Sequence, residues 1–135
     1  MYTNILIPVA LDHEHDVAKS IAIGKSLSAE GGKITALHVI ESVPGYVEPY
    51  LPAGHAEEMQ AHLTEQLNAA VSGADGVDAV IVHGHSSNTI LEYAEAQGCD
   101  LIIIDSHRPG LQDFFLGSTA ARVVRHAHCA VHVLR

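Results

Sequence analysis

The residues best suited to chemistry fall in two stretches. Asp105-Ser106-His107-Arg108-Pro109-Gly110 follows an unbroken apolar run, and Leu116-Gly117-Ser118-Thr119 opens a segment with helical spacing. A helix start leaves several amide protons unpaired and carries positive partial charge, so Gly117, Ser118 and Thr119 could cradle phosphate oxygens. Gly117 permits close backbone approach, the two hydroxyls each add a donor, and Arg108 would neutralise the anion. A plain helix cap uses the same residue types, and spacing alone does not separate the two readings. Ser118, His107 and Asp105 also have the types of a nucleophile, a base and its orienter. Against that triad, the chain has no Gly-x-Ser-x-Gly elbow, and a serine at a helix start is engaged as a cap or phosphate donor. No catalytic residue is therefore assigned.

The chain also carries 11 histidines. Asp12-His13-Glu14-His15-Asp16 has metal-binding residue types, yet on a helix His13 and His15 would point about 200° apart. His83-Gly84-His85 closes an apolar run without a carboxylate or thiolate neighbour in sequence to complete a coordination set. His126, His128 and His132 surround the last apolar run and are better suited to tuning a subunit contact with pH than to holding a metal. No metal site is expected. Cys99 and Cys129 each precede an apolar run and have no CxxC spacing, so both read as buried thiols.

What positions these groups is legible from the apolar pattern. With 135 residues, 47% hydrophobic and 17% charged, the chain fits one domain spanning residues 1–135 that needs no disulfide or metal to fold. Ile5 to Val9 is an apolar run without alternation, the mark of a strand covered on both faces, with Pro8 near its end. Asp12 then offers a cap for a helix carrying Val17, Ala18, Ile21, Ala22 and Leu27, about four turns long, which Gly31-Gly32 breaks. Ile34 to Ile40 reads as a strand, residues 41 to 54 as a loop over the sheet edge, and Met59, Leu63, Leu67 and Val71 as one face of a helix. Val77 to Val82 is the third strand. Ser86-Ser87 can cap a third helix ending at Gly98, Leu101 to Ile104 is the fourth strand, Ser118 to His126 the fourth helix, and Ala130 to Leu134 the fifth strand.

Strands alternating with helices predict an α/β fold, a doubly wound five-stranded parallel sheet of order 3-2-1-4-5 with helices on both faces. Its switch point lies between strands 1 and 4, so Pro8-Val9-Ala10 and Ile104-Asp105-Ser106 should face each other across a crevice at the carboxyl edge. Ala130, Val131, His132, Val133 and Leu134 would form an apolar edge strand, which invites pairing with a second copy.

The stretch Leu101-Ile-Ile-Ile-Asp-Ser-His-Arg-Pro-Gly, with Leu116-Gly-Ser-Thr-Ala-Ala-Arg-Val-Val-Arg-His-Ala-His-Cys-Ala-Val-His-Val-Leu-Arg135, resembles the universal stress protein family, and in particular its branch with Ser-His-Arg-Pro after the fourth strand. The resemblance implies an α/β homodimer joined through the C-terminal strand that binds ATP or AMP, with or without Mg2+. It places Pro8, Val9 and Ala10 by the adenine, Val39 on its face and Ile104 on the ribose side. Asp105, Ser106, His107, Arg108, Gly117, Ser118 and Thr119 fall to the remainder of the nucleotide. Two departures stand out. Nucleotide-binding members read Gly, two residues, Gly, nine residues, Gly and Ser or Thr; here Asp105 and Arg108 occupy the early glycine places, eight residues precede Gly117, and only Gly117-Ser118 is intact. The family's Pro-x-Asp is Pro8-Val9-Ala10, with Asp12 as a stand-in.

The net charge of −9 disfavours the broad phosphate contact of nucleic-acid binding, and no apolar run approaches a membrane span, so a cytoplasmic protein is expected. No P-loop lysine, aspartate pair or evident water-activating base accompanies the cradle, so any ATP hydrolysis should be slow. Two readings follow: a nucleotide-binding stress sensor acting on an unknown regulatory partner, and a dimer that has lost the nucleotide and serves as an interaction scaffold. A small Ser/His hydrolase is a third.

Overall fold

A computed structural model of the chain describes residues 1–11, 17–41, 45–106 and 116–135. Strands β1 (Tyr2–Pro8), β2 (Ser28–Ile40), β3 (Val77–His83), β4 (Leu101–Asp105) and β5 (Ala130–Leu134) alternate with helices α1 (Val17–Leu27), α2 (His55–Val71), α3 (Ser86–Ala96) and α4 (Ser118–His126). A short 3-10 helix, Glu48–Tyr50, precedes α2. The five strands form one parallel sheet in the order β3-β2-β1-β4-β5, as the alternating pattern predicts.

The unbroken apolar runs are explained by two cores, one on each face. Side chains alternate across a strand, so Ile5 and Ile7 of β1, Ile34 and Ala36 of β2, and Leu101 and Ile103 of β4 pack beneath α1 and α2 with Ile21, Leu67 and Val71. Leu6, Leu37, Ile102 and Ile104 point the other way, against Ile90 and Ala94 of α3 and Ala120 and Val123 of α4. Burying each such aliphatic side chain contributes about 1.5–3 kcal/mol. Of the apolar face read along α2, Leu67 and Val71 are buried, whereas Met59 is 39% exposed, so only the second half of that helix is seated on the sheet. No helix among the described residues is long and apolar enough to cross a membrane.

Local structure departs from expectation in three places. First, α1 ends at Leu27, and β2 starts at Ser28 and runs through Gly31-Gly32 instead of beginning at Ile34. Tyr2 pairs with Ser28 and Asn4 with Lys33, so the start of β2 bulges there, with Gly31 at φ 78°, a backbone conformation that glycine adopts without steric cost. The glycine pair marks a bulge, not a break. Second, β1 reaches back to Tyr2, because backbone pairing with β2 continues beyond the apolar residues. Third, Ser86 and Ser87 lie inside α3, its N-cap is His85, and His85 makes no side-chain capping bond. The expected cap at Asp12 lies outside the described residues.

At the amino edge of the sheet a single carboxylate ties β4 to β1. α3 ends in a paired-bond C-cap in which Gly98, at φ 67°, donates to the Glu95 carbonyl at 3.2 Å and Cys99 to that of Ala94 at 2.9 Å. This turn delivers Asp100 to the start of β1, where it accepts hydrogen bonds from the Thr3 and Asn4 amides, both at 2.9 Å, and from the Thr3 hydroxyl at 3.1 Å. Partial burial pushes the Asp100 carboxyl up, but the Thr3 and Asn4 amides and the Thr3 hydroxyl outweigh it and hold the group below its usual 3.8. Because the folded-state value is lowered, the stabilisation is present above the ordinary aspartate range and is lost as pH falls through the folded-state value. Asp100→Ala should lower stability by about 1–3 kcal/mol at pH 7. In denaturant titrations, its deficit relative to the parent should narrow below pH 4, the pH being set by the usual 3.8.

Candidate functional site

The carboxyl edge opens where β1 and β4 part. The Val9 amide donates to the Leu37 carbonyl of β2 at 2.8 Å, while the Asn4 carbonyl accepts from Asp100 ahead of β4, so even-numbered β1 residues direct their backbone groups toward β4. At Pro8 that side has no N–H to donate. Backbone pairing of β1 with β4 stops at Leu6 and Ile102, whereas pairing with β2 continues to Pro8 and Leu37. Beyond that point lies a cleft of about 240 Å³, walled by the ends of β1, β2 and β4 and by the first turns of α3 and α4.

Pro8, Val9, Ala10, Val39, Ile104, Asp105, Ser106, Gly117, Ser118 and Thr119, ten of the residues expected at the site, all line this one cleft. His107 and Arg108 lie outside the described residues, as does Asp12. Thus the phosphate-neutralising role of Arg108 and the His107 member of a Ser118-His107-Asp105 triad have no described geometry. At α4, Gly117 is the N-cap and makes no side-chain capping bond; its carbonyl accepts from Ala121 at 2.8 Å. Gly117 is buried, with φ −58° and ψ 153°, a conformation open to any residue. Backbone strain is therefore not what calls for a glycine at this position. Ser106 is engaged otherwise: its amide and hydroxyl both donate to the Leu134 carbonyl, at 2.8 and 2.9 Å, fastening the end of β5 to β4.

Five further lining residues, Leu37, His38, Ser86, Ile90 and Ala120, escaped the sequence reading. Leu37, Ile90 and Ala120 are ordinary core residues in sequence, and only their position at the sheet edge brings them to the cleft. His38 Nδ1 lies 2.7 Å from the Val9 carbonyl. A carbonyl only accepts, so Nδ1 carries a proton and donates it. Ser86 donates its hydroxyl proton to Glu41 Oε1 at 2.7 Å, and the Ser86 amide approaches the same oxygen at 3.4 Å. The Ser86 hydroxyl, then its amide, and the nearby His85 hold the Glu41 carboxyl below its usual range against a small opposing effect of burial. The first turn of α3 thus has a carboxylate from the end of β2 upon it, while the N-cap of α4, Gly117, has no side chain with which to cap that helix.

The remaining sequence motifs scatter. His83 Nε2 pairs with Gln60 Oε1 at 3.0 Å, and His85 Nδ1 with the Ser87 hydroxyl at 3.3 Å, so the His83-Gly84-His85 pair diverges. His126 and His128 border a separate hollow between α3 and α4 with Cys99 and Cys129, and His132 is not among its lining residues. Both cysteines are free, and burial pushes both thiols up. Asp12-His13-Glu14-His15-Asp16 lies outside the described residues. Among the described residues β5 is paired on one side only, with β4; Ala130 is exposed and Val131, His132, Val133 and Leu134 are half-buried.

Residues 1–135 match the universal stress protein family. A universal stress protein of Methanocaldococcus jannaschii is 31% identical over 149 residues, covering 100% of this chain and 83% of that protein. Universal stress protein G of Escherichia coli O157:H7 is 29% identical over 145 residues, covering 100% of both chains. The solved structure of a universal stress protein from Lactobacillus plantarum superposes with a TM-score of 0.68 at 26% identity, covering 99% of this chain and 98% of that one. Three further structures share the fold. One is an Arabidopsis thaliana family protein with AMP bound (TM-score 0.60, 22% identity, coverage 98% and 90%). Another is a universal stress protein in complex with cAMP (0.71, 16%, coverage 99% and 97%), and the third an Archaeoglobus fulgidus protein in complex with dAMP (0.66, 15%, coverage 99% and 98%). A match along its whole length, on a five-stranded sheet that opens between β1 and β4, makes this chain a member of the universal stress protein family.

Proposed function

We propose that the cleft binds an adenine nucleotide, AMP or ATP, and that the protein acts as a homodimeric sensor or regulator in the stress response, with little or no catalysis. The observation that carries this reading is that the first turn of α4, whose N-cap Gly117 has no side chain to cap it, lines the same cleft as the apolar Val9, Leu37, Val39 and Ile90. The amides and hydroxyls of Ser118 and Thr119 suit a phosphate, and Val9, Leu37, Val39 and Ile90 suit the face of a base. The AMP, dAMP and cAMP bound by proteins of this fold support the same class of ligand. Among the described residues that line the cleft there is no lysine and only one carboxylate, Asp105, which is a poor endowment for phosphoryl transfer. Asp105 is the described carboxylate at the cleft that would hold an Mg2+ accompanying ATP. The one-sided pairing of β5 supports a two-fold dimer through Ala130 to Leu134. A cytoplasmic location and a regulatory protein partner complete the proposal.

The exposed Ala10, where the resemblance implies an aspartate, favours the second reading, a scaffold without nucleotide. Denaturing the purified protein and identifying released small molecules by mass decides between them. The expected result is close to one adenine nucleotide per chain. None released, and none bound when AMP or ATP is added, would transfer the assignment to the scaffold. Gly117→Val should abolish nucleotide binding in calorimetry while leaving far-UV circular dichroism and a sedimentation mass of twice the chain unchanged, since it fills space without straining the backbone. Retained affinity would move the site elsewhere. Asp105→Asn should remove the Mg2+ dependence of ATP binding and leave AMP affinity within about twofold, a margin of roughly 0.4 kcal/mol.

A further inference from the structure

Ser86 meets the cleft beside its apolar end. It lies one helical turn before Ile90 on α3, and both line the cleft with Leu37 and Val39; Ser86 is bonded to Glu41 after β2, whereas α4 follows β4, on the other side of β1 in the sheet. A nucleotide with its phosphate on α4 therefore brings its base toward Ser86. The serine hydroxyl has one proton, and that proton goes to Glu41 Oε1 at 2.7 Å. An ionised carboxylate can only accept, so the direction of this bond is fixed and what Ser86 retains for a ligand is its lone pairs. Donation to a charged acceptor also polarises the hydroxyl oxygen and strengthens it as an acceptor.

We infer that Ser86, held as an acceptor by Glu41, is a specificity-determining residue that selects a base carrying a hydrogen-bond donor at its edge, and so favours a 6-aminopurine over the same ring without the amino group. The inference rests on the nucleotide reading of the cleft and deepens it by naming the pair of residues that reads the base. A 6-oxopurine would set its carbonyl oxygen against the Ser86 lone pairs, so discrimination comes from repulsion as well as from a lost bond. Neither residue stands out in the sequence: Glu41 is the exposed residue following β2, and Ser86 reads as a helix cap.

The test compares AMP, purine riboside 5′-monophosphate and IMP by calorimetry on the full chain. The parent protein should bind AMP about tenfold more tightly than purine riboside monophosphate, the factor given by one hydrogen bond. Ser86→Ala should bring AMP down to the affinity of purine riboside monophosphate, leaving the latter unchanged. Glu41→Gln, whose amide can donate to Ser86 and release its proton, should raise IMP relative to AMP, a shift that a merely structural role for Glu41 would not produce. Melting curves confirm that both variants fold. AMP binding with no preference over purine riboside monophosphate, or a preference that survives Ser86→Ala, overturns the inference while leaving the nucleotide reading in place. Absence of binding by all three nucleotides overturns both.

Discussion

The parting of β1 and β4 is the constraint on which the cleft depends. In a parallel sheet each residue directs its N–H and carbonyl to one neighbour, and at Pro8 the N–H missing is the one due to β4. Pairing on that side ends at Leu6, while β2 holds the other side as far as Val9. The strand is thus kept in the sheet by one neighbour and released by the other, at the place where crossover connections leave the two faces of the sheet in opposite directions. At the amino edge the opposite condition holds, since Asp100 fastens β4 to β1 through three hydrogen bonds. One end is stapled and the other opens.

The cleft inherits a polarity from its two helix termini. Both α3 and α4 begin at the carboxyl edge, so both bring the amides of a first helical turn to it. Glu41, ionised and bonded to Ser86, supplies the negative charge at α3. At α4 the N-cap is Gly117, which has no side chain to do so. Ser106 connects the wall of the cleft to the end of β5, because both of its donors go to the Leu134 carbonyl.

Much of the fold was legible because its signals are local. Apolar runs such as Ile5 to Val9 and Leu101 to Ile104 announce strands covered on both faces, and glycine at position 98 marks the end of a helix. The failures were also local in origin but tertiary in resolution. Gly31-Gly32 has the composition of a helix terminator, yet pairing of Ser28 with Tyr2 draws the segment into the sheet and turns the glycines into a bulge. Ser86 has the composition of a cap, yet a carboxylate 45 positions earlier in the chain takes that role and leaves Ser86 inside the helix.

The candidate site divides along the same line. The strand order and the sheet edge at which strands 1 and 4 part could be read from the chain alone, because periodicity and crossover handedness are properties of short segments, whereas Gly117-Ser118-Thr119 fits a plain helix cap as well as an anion site. Only the tertiary structure decided that His38 donates to Val9, that Ser106 is committed to Leu134 and that Ser86 is an acceptor held by Glu41. Those assignments concern which hydrogen-bond capacity is left over. That remainder is fixed by partners distant in sequence, which no reading of spacing along the chain can supply.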